Sequence, residues 1–312
     1  MNMRRLFVIG NGFDLAHHLP TKYEDFHQHL LSEYPNADAE HSFCPECSTG
    51  HHGEDIYGID DVVGYLITLI SRTEGENWSQ LEQTLGELDF DDDFSSLPDE
   101  TDEDGDPNPW HEVYNNEDMA SNLSGCVPMI SNLFSKWIDS IEVSAKNVIR
   151  NPVFATLASF GVDVFLSFNY TMTLENIYNA NHVCHIHGMQ GDEKLWFGHG
   201  AGNLFDEDHF SRYIGSEDGL ESIQDALRKD TAGAIHKNED FFQSLSSGIS
   251  EIYFYGFSFG DVDLVYLRKI FNTMDTNNVK VFLNNHNAKY HMEQKELIQK
   301  CGFRGLFDTY NT

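Results

Sequence analysis

Leu6-Phe7-Val8-Ile9 runs straight into Gly10-Asn11-Gly12-Phe13-Asp14, and this junction decides the fold. Four large apolar residues without alternation are the mark of a strand buried on both faces. Gly-x-Gly behind such a strand makes a tight turn in which the backbone can approach another group closely. Gly10-x-Gly12 is also the first half of a dinucleotide fingerprint, whose glycines let the chain lie against a pyrophosphate at the next helix N-terminus. Leu15 stands where the third glycine of that fingerprint belongs, so a plain tight turn reads equally well.

Downstream, Pro20 and Thr21-x-x-Glu24 form a capping-box start to a helix carrying Tyr23, Phe26, Leu30 and Tyr34 at helical spacing. From His41 to Arg150 only helical periodicities stand out: Ile56 to Ile70, Trp78 to Leu88 and Met119 to Val148. The acidic stretch from Glu87 to Pro109 contains no Lys or Arg and reads as a solvated loop, because like charges repel. Beyond Arg150, short apolar runs return at Val162–Phe168, Val183–Ile186, Leu195–Phe197, Ile252–Phe257 and Val279–Leu283. Helical spacing fills gaps between them, at Asp261–Met274 and Ala288–Cys301. Alternating strands and helices predict an α/β fold, a parallel sheet with helices on both faces. The expected organisation is a core of residues 1–35 and 150–312, with a mainly helical insertion, 36–149, after the first strand–helix unit.

The chain has 312 residues, 40% hydrophobic and 22% charged, a globular composition. Its formal net charge of −32 repels phosphate backbones and anionic lipid, so no nucleic-acid or membrane partner is expected. A small nucleotide remains compatible, since backbone N–H groups bind phosphate without net positive charge. No apolar run reaches the roughly 20 residues of a membrane span, no signal peptide is evident and the five cysteines do not suggest a disulfide framework, so a cytoplasmic location is expected.

Four strand candidates end in polar or glycine-bearing turns: Gly10 to Asp14, Ser167-Phe-Asn169-Tyr170, His185-Ile-His187-Gly188 and Gly256-Phe-Ser258-Phe-Gly260-Asp261. Ligands of open parallel sheets bind outside the carboxyl ends of the strands, so these four turns could line one crevice. Asn169 and His187 are the candidates for chemistry, because each follows an apolar strand and offers groups that a core does not need.

Phe7-Val-Ile-Gly-Asn-Gly-Phe-Asp-Leu-Ala, Leu19-Pro-Thr-Lys-Tyr-Glu-Asp-Phe26, Trp78-Ser-x-Leu-Glu82 and Trp196-Phe-Gly-His-Gly200 together resemble the AbiH-type bacteriophage abortive infection proteins. Ser167-Phe-Asn-Tyr170, His185-Ile-His-Gly188 and Gly256-x-Ser-x-x-Asp-x-Asp263 are similar to motifs of sirtuin-like defence proteins that consume NAD. The resemblance implies a Rossmann-like, sirtuin-like nucleotide fold and an NAD glycohydrolase acting against phage. It places Asn169 and His187 in the catalytic positions. Gly10, Asn11, Gly12, Phe13, Asp14, Ser167, Tyr170, Gly256, Ser258 and Asp261 fall in or beside its nucleotide-binding positions. NAD is then the substrate. An NADase must be restrained in healthy cells, which points to a phage-derived trigger, leaves room for a homo-oligomer and makes the insertion the natural gate.

Sirtuin deacylases carry two cysteine pairs in a zinc module, and this chain has one, Cys44-x-x-Cys47, which argues against deacylation. With His41 before and His51-His52 after, that pair has zinc-binding groups, but one short pair is a weak signal and no metal is expected. Nicotinamide leaves NAD as a neutral molecule, so cleavage needs no general acid. His187 can be the base or take a ribose hydroxyl proton, and Asn169 can orient water.

Two other readings stay open. Gly256-Phe-Ser258-Phe-Gly260 matches a serine-hydrolase nucleophile elbow, with Asp275 and His286 or His291 to complete a triad. A non-catalytic sensor of NAD or ADP-ribose would use the same crevice. Trp78 reads as a packed aromatic, Glu82 as a solvated or crevice-facing carboxylate, and His17 and His18 lie near the proposed phosphate turn.

Overall fold

A computed structural model describes residues 4–38, 43–75, 78–98, 108–200 and 212–312. Six strands form one sheet: β1 Arg4–Ile9, β2 Val164–Ser167, β3 Val183–His185, β4 Ile249–Tyr255, β5 Lys280–Asn284 and β6 Leu306–Tyr310. Their order is β3-β2-β1-β4-β5-β6 and every pairing is parallel. This is a doubly wound order, in which the connections diverge from β1 and leave a switch point between β1 and β4.

The unbroken apolar run of β1 has a two-sided explanation. Leu6 and Val8 enter an aliphatic core with Leu166, Ile252, Phe254, Val281 and Leu283, covered by residues of α4 Thr231–Lys237, α5 Glu239–Ser244, α6 Leu264–Thr273 and α7 His291–Lys300. On the other face, register aligns Phe165, Phe7, Tyr253 and Phe282 across β2, β1, β4 and β5. Their rings stack at 5.3, 5.0 and 4.4 Å between centroids. Phe154, from α2 Pro152–Leu157, meets Phe7 edge-on at 5.7 Å and closes that face. The sheet is therefore apolar on both sides, as a parallel sheet requires.

Asp163, at the foot of β2, is buried and accepts from the Arg5 backbone N–H, Arg5 Nε, Arg5 Nη2 at 2.6 Å and the Ser159 N–H. Asp163→Ala leaves those donors unanswered. A loss of about 2 to 3 kcal/mol is expected in urea unfolding, and an unchanged midpoint would contradict this account of the β1–β2 edge.

Several boundaries differ from the expectations above. Leu195–Phe197 is not a strand, because Trp196 is consumed by a loop whose N–H donates to His187 O. β6 escaped notice because most of its residues are exposed, as suits a sheet edge, and its pattern is polar. Thr21 does not cap the helix Tyr23–Glu33; its hydroxyl donates to Asn11 Oδ1 at 2.6 Å. Trp78 to Leu88 holds only the four-residue helix Leu81–Thr84, while the helix expected from Met119 begins at Pro109, which occupies a first-turn position.

The chain divides into two compact units. One, residues 1–22, 135–196 and 230–312, contains the whole six-stranded sheet; the other comprises 23–134 and 197–229. The second unit is mainly helical, built on Ile59–Glu74, Pro109–Cys126 and Glu217–Leu227, with a two-residue antiparallel ribbon of Ser48–Thr49 and Asp55–Ile56. The helix Tyr23–Glu33 and residues 197–229 belong to it as well as the stretch after residue 36. Within this unit Trp78 is fully buried, stacked on His27 at 4.4 Å, as a packed aromatic should be. Glu82 is neither solvated nor free for a crevice; it pairs with the buried Lys229 at 2.9 Å. Among the described residues no helix is long and apolar enough to cross a membrane.

Candidate functional site

The switch point is where the glycines lie. Gly10 N–H donates to Tyr255 O at 2.9 Å and Gly12 N–H to Gly256 O at 3.0 Å, so the turns after β1 and β4 are bonded to each other. A Cβ on Gly10 would come within 2.6 Å of Gly256 O, and one on Gly12 within 2.7 Å of Gly256 Cα. Gly256 has φ +66° and would meet the Phe13 N and Gly12 backbone. Contact between the two turns accounts for all three glycines. The helix after the first turn, α1 Gly12–Ala16, is only five residues long. Asn11 gives both ends of its amide to Thr21, and Phe13 is fully buried among Phe154, Tyr178 and Tyr255. These two shape the turn. His17 is likewise structural: Nδ1–H donates to Phe13 O at 2.7 Å and Nε2 accepts from Tyr178 OH at 2.6 Å. Burial lowers its pKa, matching that neutral form.

At the end of β2, Ser167 Oγ accepts from the Asn169 N–H at 3.2 Å and folds the turn that presents Asn169. Asn169 is 6% exposed, and neither its Nδ2 nor its Oδ1 has a hydrogen-bond partner. Its backbone carbonyl is gripped from β3 by His185, whose Nδ1 lies 2.8 Å from Asn169 O and whose Nε2 lies 2.9 Å from Glu175 Oε1 on α3 Thr173–Tyr178. A carbonyl and a carboxylate only accept, so both ring nitrogens donate and His185 is an imidazolium. Burial works to lower its pKa, and the hydrogen bond and charge of Glu175, then the Asn169 carbonyl and Asp14, outweigh burial and raise it.

Asp14, placed by the resemblance in or beside the nucleotide-binding positions, is 1% exposed beneath this loop. Its Oδ2 accepts from Thr171 Oγ1 at 2.5 Å, and Thr171 and Thr173 hydroxyls meet at 2.9 Å.

His187, just beyond β3, is 3% exposed among Phe168, Tyr170 and Tyr266. Its Nε2 lies 3.4 Å from Asp263 Oδ1, on the single turn that precedes α6. Tyr170 OH donates to Trp196 O at 3.1 Å, bracing the same loop. Asp261 is exposed on that turn, and Asp263 is the carboxylate that lies beside His187.

On the β4–β5 side of the switch point lies a cavity of about 540 Å³, lined by Gly12, Asn151, Tyr255, Ser258, Asn284 and His286 among others. Of the sequence candidates Gly12, Gly256 and Ser258 line it; Asn169 and His187 do not. Ser258 is exposed and lines this cavity together with His286. Asp275 is occupied by the N–H and side chain of Asn277, and His291 Nε2 donates to Asn284 O.

Sequence reading singled out neither Glu175, Thr171, Thr173 nor Asn284. His185 and Asp263 were quoted only within motifs. The His-x-His repeat at 185–187 and Asn284 at the end of a strand were the available signals. In the helical unit, the Cys126 thiol and burial push the Cys44 thiol up. Among the described residues no group of three or more His, Cys, Asp or Glu is placed to hold a metal ion, and His41 lies outside them.

No curated protein and no solved structure matches the chain. The family model for "Bacteriophage abortive infection AbiH" matches residues 6–285, from β1 past the end of β5 and through every strand end described above. The chain belongs to the AbiH family of bacteriophage abortive infection proteins.

Proposed function

We propose that this AbiH protein is an NAD glycohydrolase with a sirtuin-like site, releasing nicotinamide and ADP-ribose to arrest a phage-infected cell. The observation that carries the reading is Asn169: a buried amide at a strand end beside the switch point, with no partner for either polar atom. An orphaned buried amide calls for an explanation, and a ligand's hydroxyls supply one. His187, beside Asp263 and walled by aromatic rings, is the second group, suited to holding or moving a proton on the substrate ribose. The 540 Å³ cavity next to Gly12 and Gly256 has the volume for the other half of a dinucleotide.

Release of neutral nicotinamide from its pyridinium leaves a ribosyl cation that water captures. The residues here need only orient water and ribose, shield the cation and accept a proton. In cells challenged with phage, wild-type protein is expected to deplete NAD, and Asn169→Ala or His187→Ala to slow the loss about 100-fold or more. NAD loss at the wild-type rate in both variants overturns the reading. Nucleotide binding without nicotinamide release turns it into a sensor.

A further inference from the structure

Asp14 has no role in the reading above, yet it is the most deeply buried carboxylate near Asn169. It sits on α1 after β1, and Asn169 follows β2, the neighbouring strand in the sheet. One carboxylate oxygen, Oδ2, is satisfied by Thr171; the other, Oδ1, has no partner. The Asn169 amide lies beside it, close enough to pull the Asp14 carboxyl down, and leaves an acceptor and a donor with no partner at ordinary hydrogen-bond length. Two adjacent side chains, each more than nine-tenths buried, thus present two acceptors and one donor. That set suits one water or hydroxyl oxygen, which donates twice and accepts once, the usual coordination of a buried water.

Resting on the NAD-hydrolysis reading, we propose that Asp14 and Asn169 hold the attacking water between them and that Asp14 is the base that takes its proton. In this step one O–H bond of the water breaks and its proton passes to Asp14 Oδ1. The oxygen forms a bond to the anomeric carbon of the ribose. The electron pair of the carbon–nitrogen bond enters the pyridinium ring, nicotinamide leaves neutral, and Asp14 releases its proton to solvent. His187 is then left for the ribose hydroxyl.

The titratable groups facing Asp14 are His185 from β3 and, behind it, Glu175 from α3. Burial pushes the Asp14 carboxyl up to about 6, against the opposing pull of Thr171, Thr173, Asn169 and His185. A base with that pKa is ionised at neutral pH and still basic enough to accept a proton, which a surface aspartate is not.

The test measures nicotinamide release and ADP-ribose affinity from pH 5 to 9, with and without lysate of phage-infected cells. It uses full-length wild type, Asp14→Asn and Thr171→Val. Asp14→Asn is expected to lower kcat by about 10² to 10⁴-fold while still binding ADP-ribose. Thr171→Val, which removes the hydrogen bond that favours the carboxylate, is expected to move the acid limb of the rate profile to higher pH. A purely structural Asp14 would leave that limb in place. Asp14→Asn turning over like wild type, or an unmoved limb in Thr171→Val, overturns the assignment while the NADase reading stands. A folded wild type that releases no nicotinamide in any condition removes both.

Discussion

Asp14→Asn is expected to stabilise the protein by up to about 3 kcal/mol at pH 7.5. The carboxyl titrates near 6 in the folded chain against an ordinary 3.8, so keeping it ionised at neutral pH costs that much. The sign follows from proton binding. The folded state holds this proton more tightly than the unfolded one, so the Asp14 contribution falls as pH rises from about 4 to about 6. The advantage of the asparagine is therefore full above pH 6, shrinks through that window and is gone below about 4. Denaturant midpoints of both proteins across pH 4 to 8 check this, and an asparagine variant less stable than wild type at pH 7.5 contradicts it. His185 acts in the same direction at higher pH. Its raised pKa supplies stability below its ordinary 6.5 that is lost as pH rises through the folded value. A site that opposes stability at working pH is expected of groups retained for chemistry rather than packing.

Gly10→Ala is expected to cost more than about 4 kcal/mol and to unfold the protein at 37 °C or leave it insoluble. The added methyl would stand 2.6 Å from both Gly256 O and Phe257 Cα, atoms of a backbone pinned at the carboxyl end of a central strand. No flexible side chain is there to yield. Gly161→Ala is the internal control, because a Cβ there meets nothing within 4 Å; it is expected to stay within about 0.5 kcal/mol of wild type. Thermal unfolding of both variants measures the contrast, and comparable midpoints would show that the β1 and β4 turns are not held as described.

The central strands were legible because they are apolar on both faces. Leu6 to Ile9 and Ile252 to Phe257 carry no alternation, and only a parallel sheet buried on both sides makes use of such runs. β6 was not legible, since an edge strand needs little apolar surface, and Trp196-Phe197 misled because aromatic residues fill loops as well as strands. The bounds of the helical unit were blurred for a different reason. The helix Tyr23–Glu33 is amphipathic wherever it docks, and nothing in its spacing tells which unit receives it.

At the site, the residue types were visible and their division of labour was not. Asn169 and His187 stand out in the sequence because each follows an apolar strand, and both are buried at strand ends. Whether Asn11 reaches a ligand or Thr21, and whether Asp14 is exposed or buried, depends on distances between segments that a linear pattern does not encode. The glycines, which read equally well as a plain tight turn or as half of a dinucleotide fingerprint, lie where two turns touch, a close approach of backbones that a linear pattern does not reveal. His185 was passed over because its ionisation follows from two acceptors contributed by other elements.

The most direct measurement is the release of nicotinamide and ADP-ribose from NAD by purified wild-type and Asn169→Ala protein, with and without lysate of phage-infected cells. Stoichiometric release by wild type, reduced about 100-fold or more in Asn169→Ala, is the predicted result. Equal release by the two proteins, or none by a folded wild type in either condition, would contradict the account.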